Sequence, residues 1–183
     1  MIDPLILQTI ELGMALLLLS AAWHKFRSLQ YFRDSLRDYA LLPEWALLPA
    51  SILLPATESV LGLCWLMSLA TNTAATATAS LLAVYSAAIA INVARGRVHI
   101  GCGCNGPAGD AVEQPVSVGL IIRNLILIAV ALIASAPASS RELGAVDYLI
   151  LFASLLTALL LYAATNQLLA NNSLIRMWRD YRG

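Results

Sequence analysis

The chain has 183 residues, of which 60% are hydrophobic and 12% charged, and its eleven basic residues balance its eleven acidic ones. With a mean hydropathy of +0.76, this composition excludes an ordinary soluble domain and reads as an integral membrane protein. A net charge of zero gives no electrostatic footprint for nucleic acid, and the sequence holds no internal repeat and no nucleotide-binding motif.

The first apolar run, residues 4–23, carries Glu11 as its only charge and is long enough to cross a bilayer as a helix. No basic segment precedes it and further apolar runs follow, so it reads as a retained span rather than a signal peptide. Residues 26–42 place Phe26, Leu29, Phe32, Leu36 and Tyr39 at helical spacing against Arg27, Arg33, Asp34, Arg37 and Asp38, the pattern of an amphipathic helix lying at the membrane surface. Pro43 then turns the chain. A second span is expected over 47–69 with Pro49, Pro55, Glu58 and Cys64 inside it, its prolines kinking the start. A third is expected over 73–94, rich in alanine, serine and threonine, which lets helices approach closely. Pro115 opens a fourth over 116–136, and a fifth covers 146–170 before an arginine-bearing tail.

The long polar break falls between the third and fourth spans. Residues 98–114 read VHIGCGCNGPAGDAVEQ, and Gly101 and Gly103 flank Cys102, two residues before Cys104. The glycines permit the backbone angles that a tight sulfur pair requires. Such a pair closes a small strained disulfide that is readily reduced, or presents two thiolates to a soft metal with His99 as a third ligand. Cys64 reads as a small buried hydrophobe, and His24 and His99 read first as solvated side chains. Five spans gather the amphipathic helix, the cysteine loop and the tail on one membrane face, together with most of the arginine and lysine; the positive-inside rule makes that face cytoplasmic. Glu58 and Arg123 are ionisable groups inside spans, which ordinarily face the bundle interior and a partner. Counted from the same surface they lie at similar depth, so an ion pair between them is expected, with Asn124 and Asn92 as hydrogen-bond partners.

Several stretches together resemble the MauE family of the wider DoxX-like membrane proteins. GRVHIGCGCNGP is similar to that family's Cys-Gly-Cys signature, with Asn105 where phenylalanine is usual. LLPATESVLGLCWL resembles the second-span pattern of proline, glutamate and glycine. HKFRSLQYFRDSLRDYALLPEW resembles the family's first loop, with Lys25 as the lysine ending the first span, and IIRNLILI carries the arginine-asparagine pair Arg123 and Asn124. The resemblance implies an all-α, polytopic membrane bundle. Its four-helix core would be of DoxX and vitamin K epoxide reductase type, joined by a fifth C-terminal transmembrane helix and the interfacial helix, in the inner membrane of a bacterium. It also implies thiol–disulfide oxidoreductase chemistry at Cys102 and Cys104, supported by Gly101, Gly103, Lys25, Glu58, Arg123 and Asn124. The implied partners are a thioredoxin-like protein of MauD type, the disulfide-rich small subunit of methylamine dehydrogenase as client, and a quinone as electron acceptor. A periplasmic client places the cysteine loop outside, against the charge count. The alternative is a soft-metal-binding protein or scaffold using His99, Cys102 and Cys104.

Overall fold

A computed structural model of the chain describes residues 2–97, 100, 116–137, 139 and 141–181, with side chains through residue 169 and at 171. The described residues form six α-helices in chain order: α1 (Pro4–Arg27), α2 (Leu29–Tyr39), α3 (Glu44–Leu66), α4 (Thr71–Ala94), α5 (Val118–Ile133) and α6 (Ala145–Tyr181). α1, α3, α4 and the Ala145–Leu169 part of α6 are long and apolar enough to cross a membrane, so the protein is a multi-pass membrane protein. α5 is apolar but has 16 residues, about 24 Å of helix against a hydrocarbon core of about 30 Å. It starts later than Pro115 suggested because Val116 donates its backbone N–H to the carbonyl of Ile100 at 3.0 Å and Ser117 is extended.

α1 opens with Asp3 accepting from the N–H of Leu5 at 2.9 Å and proline in the first turn, a favourable N-terminus. It breaks at Ser28, whose φ of −136° and ψ of 54° leave the helical region. α2 then follows α3 back toward its start. Leu19 of α1 lies against Gly62, Lys25 against Glu58, and Arg37 of α2 against Glu44, each advance along α1 and α2 matched by a retreat along α3. The amphipathic segment is therefore a broken continuation of α1 leaning on α3, burying Phe32, Ser35 and Tyr39 and exposing Arg37 and Asp38. α2 ends at Ala40, held in the left-handed region at φ 48°, and Pro43 leads into α3. Pro49 and Pro55 sit inside α3, which continues helically through both.

Two apolar clusters organise the interior. One joins Met14, Leu18, Leu61, Trp65 and Ala75 near the α3–α4 turn, with the half-buried free thiol of Cys64 packed on it. The other joins Tyr39, Ile89, Val116 and Leu120, with Ile100 packed on it. Gly62 allows the close contact of α3 with α1, since a Cβ there would stand 2.8 Å from Leu19 Cγ. On the α1 N-terminal side, Arg141 reaches Asp3 and Asp147 at 3.3 and 3.0 Å. Its guanidinium is held above its ordinary value by the hydrogen bond to Asp147 and then by that to Asp3.

Candidate functional site

The loop residues expected to carry chemistry, His99, Gly101, Cys102, Gly103 and Cys104, lie outside the described residues. The structure does describe where that loop is rooted. Ile100 and Val116, on either side of it, are joined by a backbone hydrogen bond and pack with Tyr39, Ile89 and Leu120. Cys64 belongs to the other cluster, against Trp65.

The expected pairing of Glu58 with Arg123 is not what the side chains do. Glu58 is 2% exposed, and its Oε1 is bonded to Lys25 Nζ and accepts from Tyr85 Oη at 2.8 Å. Lys25 is likewise buried; its ammonium lies 3.4 Å from Tyr85 Oη, 5.1 Å from the Phe32 ring centre and 4.8 Å from that of Tyr85. Counting depth from the ends of the helices misleads here. α1 ends well below the start of α3, because the break at Ser28 and the return of α2 occupy the outer part of the bundle. Glu58 lies roughly 21 Å along α3 from Glu44 at about 1.5 Å per residue, and the residue level with it is Lys25, not a surface lysine. Arg123 turns instead to α6: its Nη1 donates to Asn166 Oδ1 at 2.8 Å, its Nη2 donates to Asn124 Oδ1 at 3.3 Å, and its guanidinium lies 5.7 Å from the Tyr162 ring centre. Asn124 is buried and serves that cluster. Asn92 is buried too, donating Nδ2 to the carbonyl of Ala88 at 3.0 Å. His24 is exposed.

An ion pair in apolar surroundings persists only if both charges are paired and their remaining valences are largely met. Here three helices contribute, α1 the cation, α3 the anion and α4 a hydroxyl that donates to the anion. Two aromatic faces add the quadrupole attraction that a desolvated ammonium receives from a ring. Beside this centre, between α2, α3 and α4, lies a pocket of about 480 Å³ lined by Lys25, Phe32, Tyr39, Leu54, Tyr85 and Ala88 among others. Tyr85 and the pocket were not singled out from sequence. The available signal was that Tyr85 is the one aromatic residue in α4, amid alanine, serine and threonine.

The fold and this centre define a multi-pass helical membrane protein with a buried lysine–glutamate pair set among its spans and a cysteine-bearing loop rooted on the same bundle. Residues 3–137 match the methylamine utilisation protein MauE family, and the chain belongs to that family. It is 37% identical over 174 residues to the methylamine utilization protein MauE of Paracoccus denitrificans, covering 92% of this chain and 89% of that one. It is 35% identical over 178 residues to the protein of the same name from Methylorubrum extorquens, covering 89% and 87%. The counterpart from Methylophilus methylotrophus is 34% identical over 130 residues, covering 71% of this chain and 65% of that one. No solved structure matches the chain.

Proposed function

We propose that the protein is a membrane thiol–disulfide relay of methylamine utilisation, in which Cys102 and Cys104 cycle between disulfide and dithiol. The observation that carries this reading is the Cys-Gly-Cys pair in the one long polar loop of the chain, rooted by the Ile100–Val116 hydrogen bond on the bundle interior. A thiolate of a reduced thioredoxin-like partner, of MauD type, attacks the Cys102–Cys104 disulfide. One sulfur joins the partner in a mixed disulfide and the other leaves as thiolate. The partner's second thiolate resolves that bond, so the partner leaves oxidised and the loop leaves as dithiol. The oxidised partner passes its disulfide to a client such as the small subunit of methylamine dehydrogenase. Two electrons and two protons must then leave the loop pair, and a bilayer-soluble quinone takes them. The proposal includes a bacterial inner-membrane location and a core of DoxX and vitamin K epoxide reductase type.

The partner's second thiolate is what resolves the mixed disulfide, so a partner that carries only its attacking cysteine stays joined to the loop in an intermediate that decays slowly. Expressed with such a single-cysteine partner, the wild-type chain is therefore expected to accumulate a thioredoxin-fold protein on non-reducing gels, released by dithiothreitol, whereas Cys102→Ser or Cys104→Ser, which offers no loop disulfide to attack, is expected not to. If the wild type traps no partner while it holds one equivalent of zinc or copper that both variants lose, the loop is a soft-metal site and the relay is wrong.

A further inference from the structure

We infer that the pocket between α2, α3 and α4 receives the carbonyl-bearing ring of a membrane quinone, with Lys25 as the hydrogen-bond donor at its polar end. The inference rests on the relay proposed above for its purpose, but the site itself is argued from the described residues alone.

The pocket is apolar over nearly all its wall, and the residues at its rim, Leu42, Val84 and Ile91, are exposed on the outside of the bundle. A molecule dissolved in the hydrocarbon therefore reaches it sideways, without crossing water. The volume of about 480 Å³ is within the range of small-molecule sites and takes a substituted six-membered ring with the first part of its chain. Three aromatic side chains, Phe32, Tyr39 and Tyr85, line it, and flat rings pack against such faces in offset or edge-on geometry.

The polar end decides the kind of head group. Lys25 is 4% exposed and lines the pocket. Its ammonium has three N–H donors; one goes to Glu58 Oε1 and one is within reach of Tyr85 Oη. Among the described residues the third has no oxygen acceptor, only the ring faces of Phe32 and Tyr85, which in an apolar wall is a donor waiting for one. Because Glu58 already neutralises Lys25, a phosphate or carboxylate entering here would bring an uncompensated charge into hydrocarbon, a cost of kcal/mol. A neutral acceptor brings none. Carbonyl oxygen on a flat ring, attached to a long apolar chain, meets the donor, the aromatic walls and the lateral opening together. The same molecule supplies what the loop dithiol needs: quinone plus two thiols gives quinol plus one disulfide, balanced in two electrons and two protons. Tyr39 and Ile89 line the pocket and also pack with Ile100 and Val116, the roots of the cysteine loop, so the pocket abuts the base of that loop.

The test uses the full chain in lipid nanodiscs with both loop cysteines replaced by serine, so that binding is read without thiol chemistry. Decylubiquinone is expected to bind saturably, one per chain, above its partition into empty nanodiscs. Ala88→Phe on α4 and Leu54→Trp on α3, which each fill the pocket from a different helix, are expected to weaken binding about tenfold or more, the loss of a ring-sized apolar contact. Leu53→Phe, on the exposed face of α3, is expected to leave it unchanged. Helical circular dichroism and gel filtration identify any variant that has not folded, and either pocket variant alone suffices. Binding that is unchanged in a folded Ala88→Phe or Leu54→Trp overturns the assignment. So does decylbenzene competing as well as decylubiquinone, since the pocket is then a slot for alkyl chains. Absent quinone binding together with a trapped mixed disulfide leaves the relay with a different oxidant; quinone binding with no trapped partner keeps the pocket and ends the relay.

Discussion

Among the described residues two glutamates are buried, Glu11 and Glu58, and they are buried in opposite ways. Glu11, on α1, accepts from Ser68 Oγ at 2.7 Å and from Thr71 Oγ1 at 3.3 Å, so each carboxylate oxygen is met by a hydroxyl from the α3–α4 turn. Glu58 has a buried cation as its partner, and one of its oxygens, Oε2, has no hydrogen-bond partner among the described residues. The first is a satisfied tie between a turn and a helix. The second is a charged centre shared by three helices beside a cavity, stable only as long as its counter-charge is present. A carboxylate in a span is thus not one kind of feature, and what surrounds it decides whether it fastens the fold or equips a site.

Removing the counter-charge tests this most severely. Lys25→Met leaves Glu58 as a lone buried anion, and loss of about 3 to 5 kcal/mol is expected, measured by reversible unfolding in mixed detergent micelles. The double variant Lys25→Met/Glu58→Met is expected to lose less than Lys25→Met alone. A double variant worse than either single variant would show that the two residues act separately. Tyr85→Phe comes next. It keeps the ring under the ammonium and removes only the hydroxyl that donates to Glu58 Oε1 at 2.8 Å. Its expected cost is about 1 to 2 kcal/mol, between the small values of hydrogen bonds among membrane helices and the larger ones for bonds to charged groups. No change on Tyr85→Phe would mean that the lysine alone sustains the carboxylate.

The two glutamates also show what the sequence could and could not convey. Hydropathy alone places α1, α3, α4 and α6, because a bilayer forces apolar runs into helices that satisfy their own backbones. The amphipathic period of α2 is legible in the same way. Glu58 is visible as a charge that needs a partner. Which partner is a matter of where each helix stops in depth, and the break at Ser28 that sets α1's depth has no proline or glycine to announce it. Lys25, beside His24 and Arg27, therefore looks like part of a flanking basic cluster, while Arg123, at a plausible depth, faces α6 and Asn166 instead. The pocket was illegible because it is bounded by residues from four helices, spread from Lys25 to Ile91, whose meeting depends on that same depth. The cysteine pair is the reverse: Cys102 and Cys104 stand out as a pair in the sequence, and they lie outside the described residues.

The smallest expected effect belongs to Glu11→Gln. A glutamine there keeps a carbonyl oxygen that accepts from Ser68, and its amide donates to the Thr71 hydroxyl, which can accept as readily as donate. The substitution therefore preserves both ties while removing the charge, and with it the cost of holding an anion at 6% exposure. These changes oppose one another, since a hydrogen bond to a carboxylate is stronger than one to an amide. A net change below about 1 kcal/mol is expected, the scale of one neutral hydrogen bond, in the same unfolding measurement. Glu58→Gln, the identical chemical change, is expected to cost more, because it strands Lys25 as a buried cation. The difference between the two glutamine variants isolates what the counter-charge contributes, since both remove one negative charge from a buried carboxylate. If Glu11→Gln proves as damaging as Glu58→Gln, the hydroxyls of Ser68 and Thr71 demand a full anion, and the distinction between a satisfied tie and a charged centre fails.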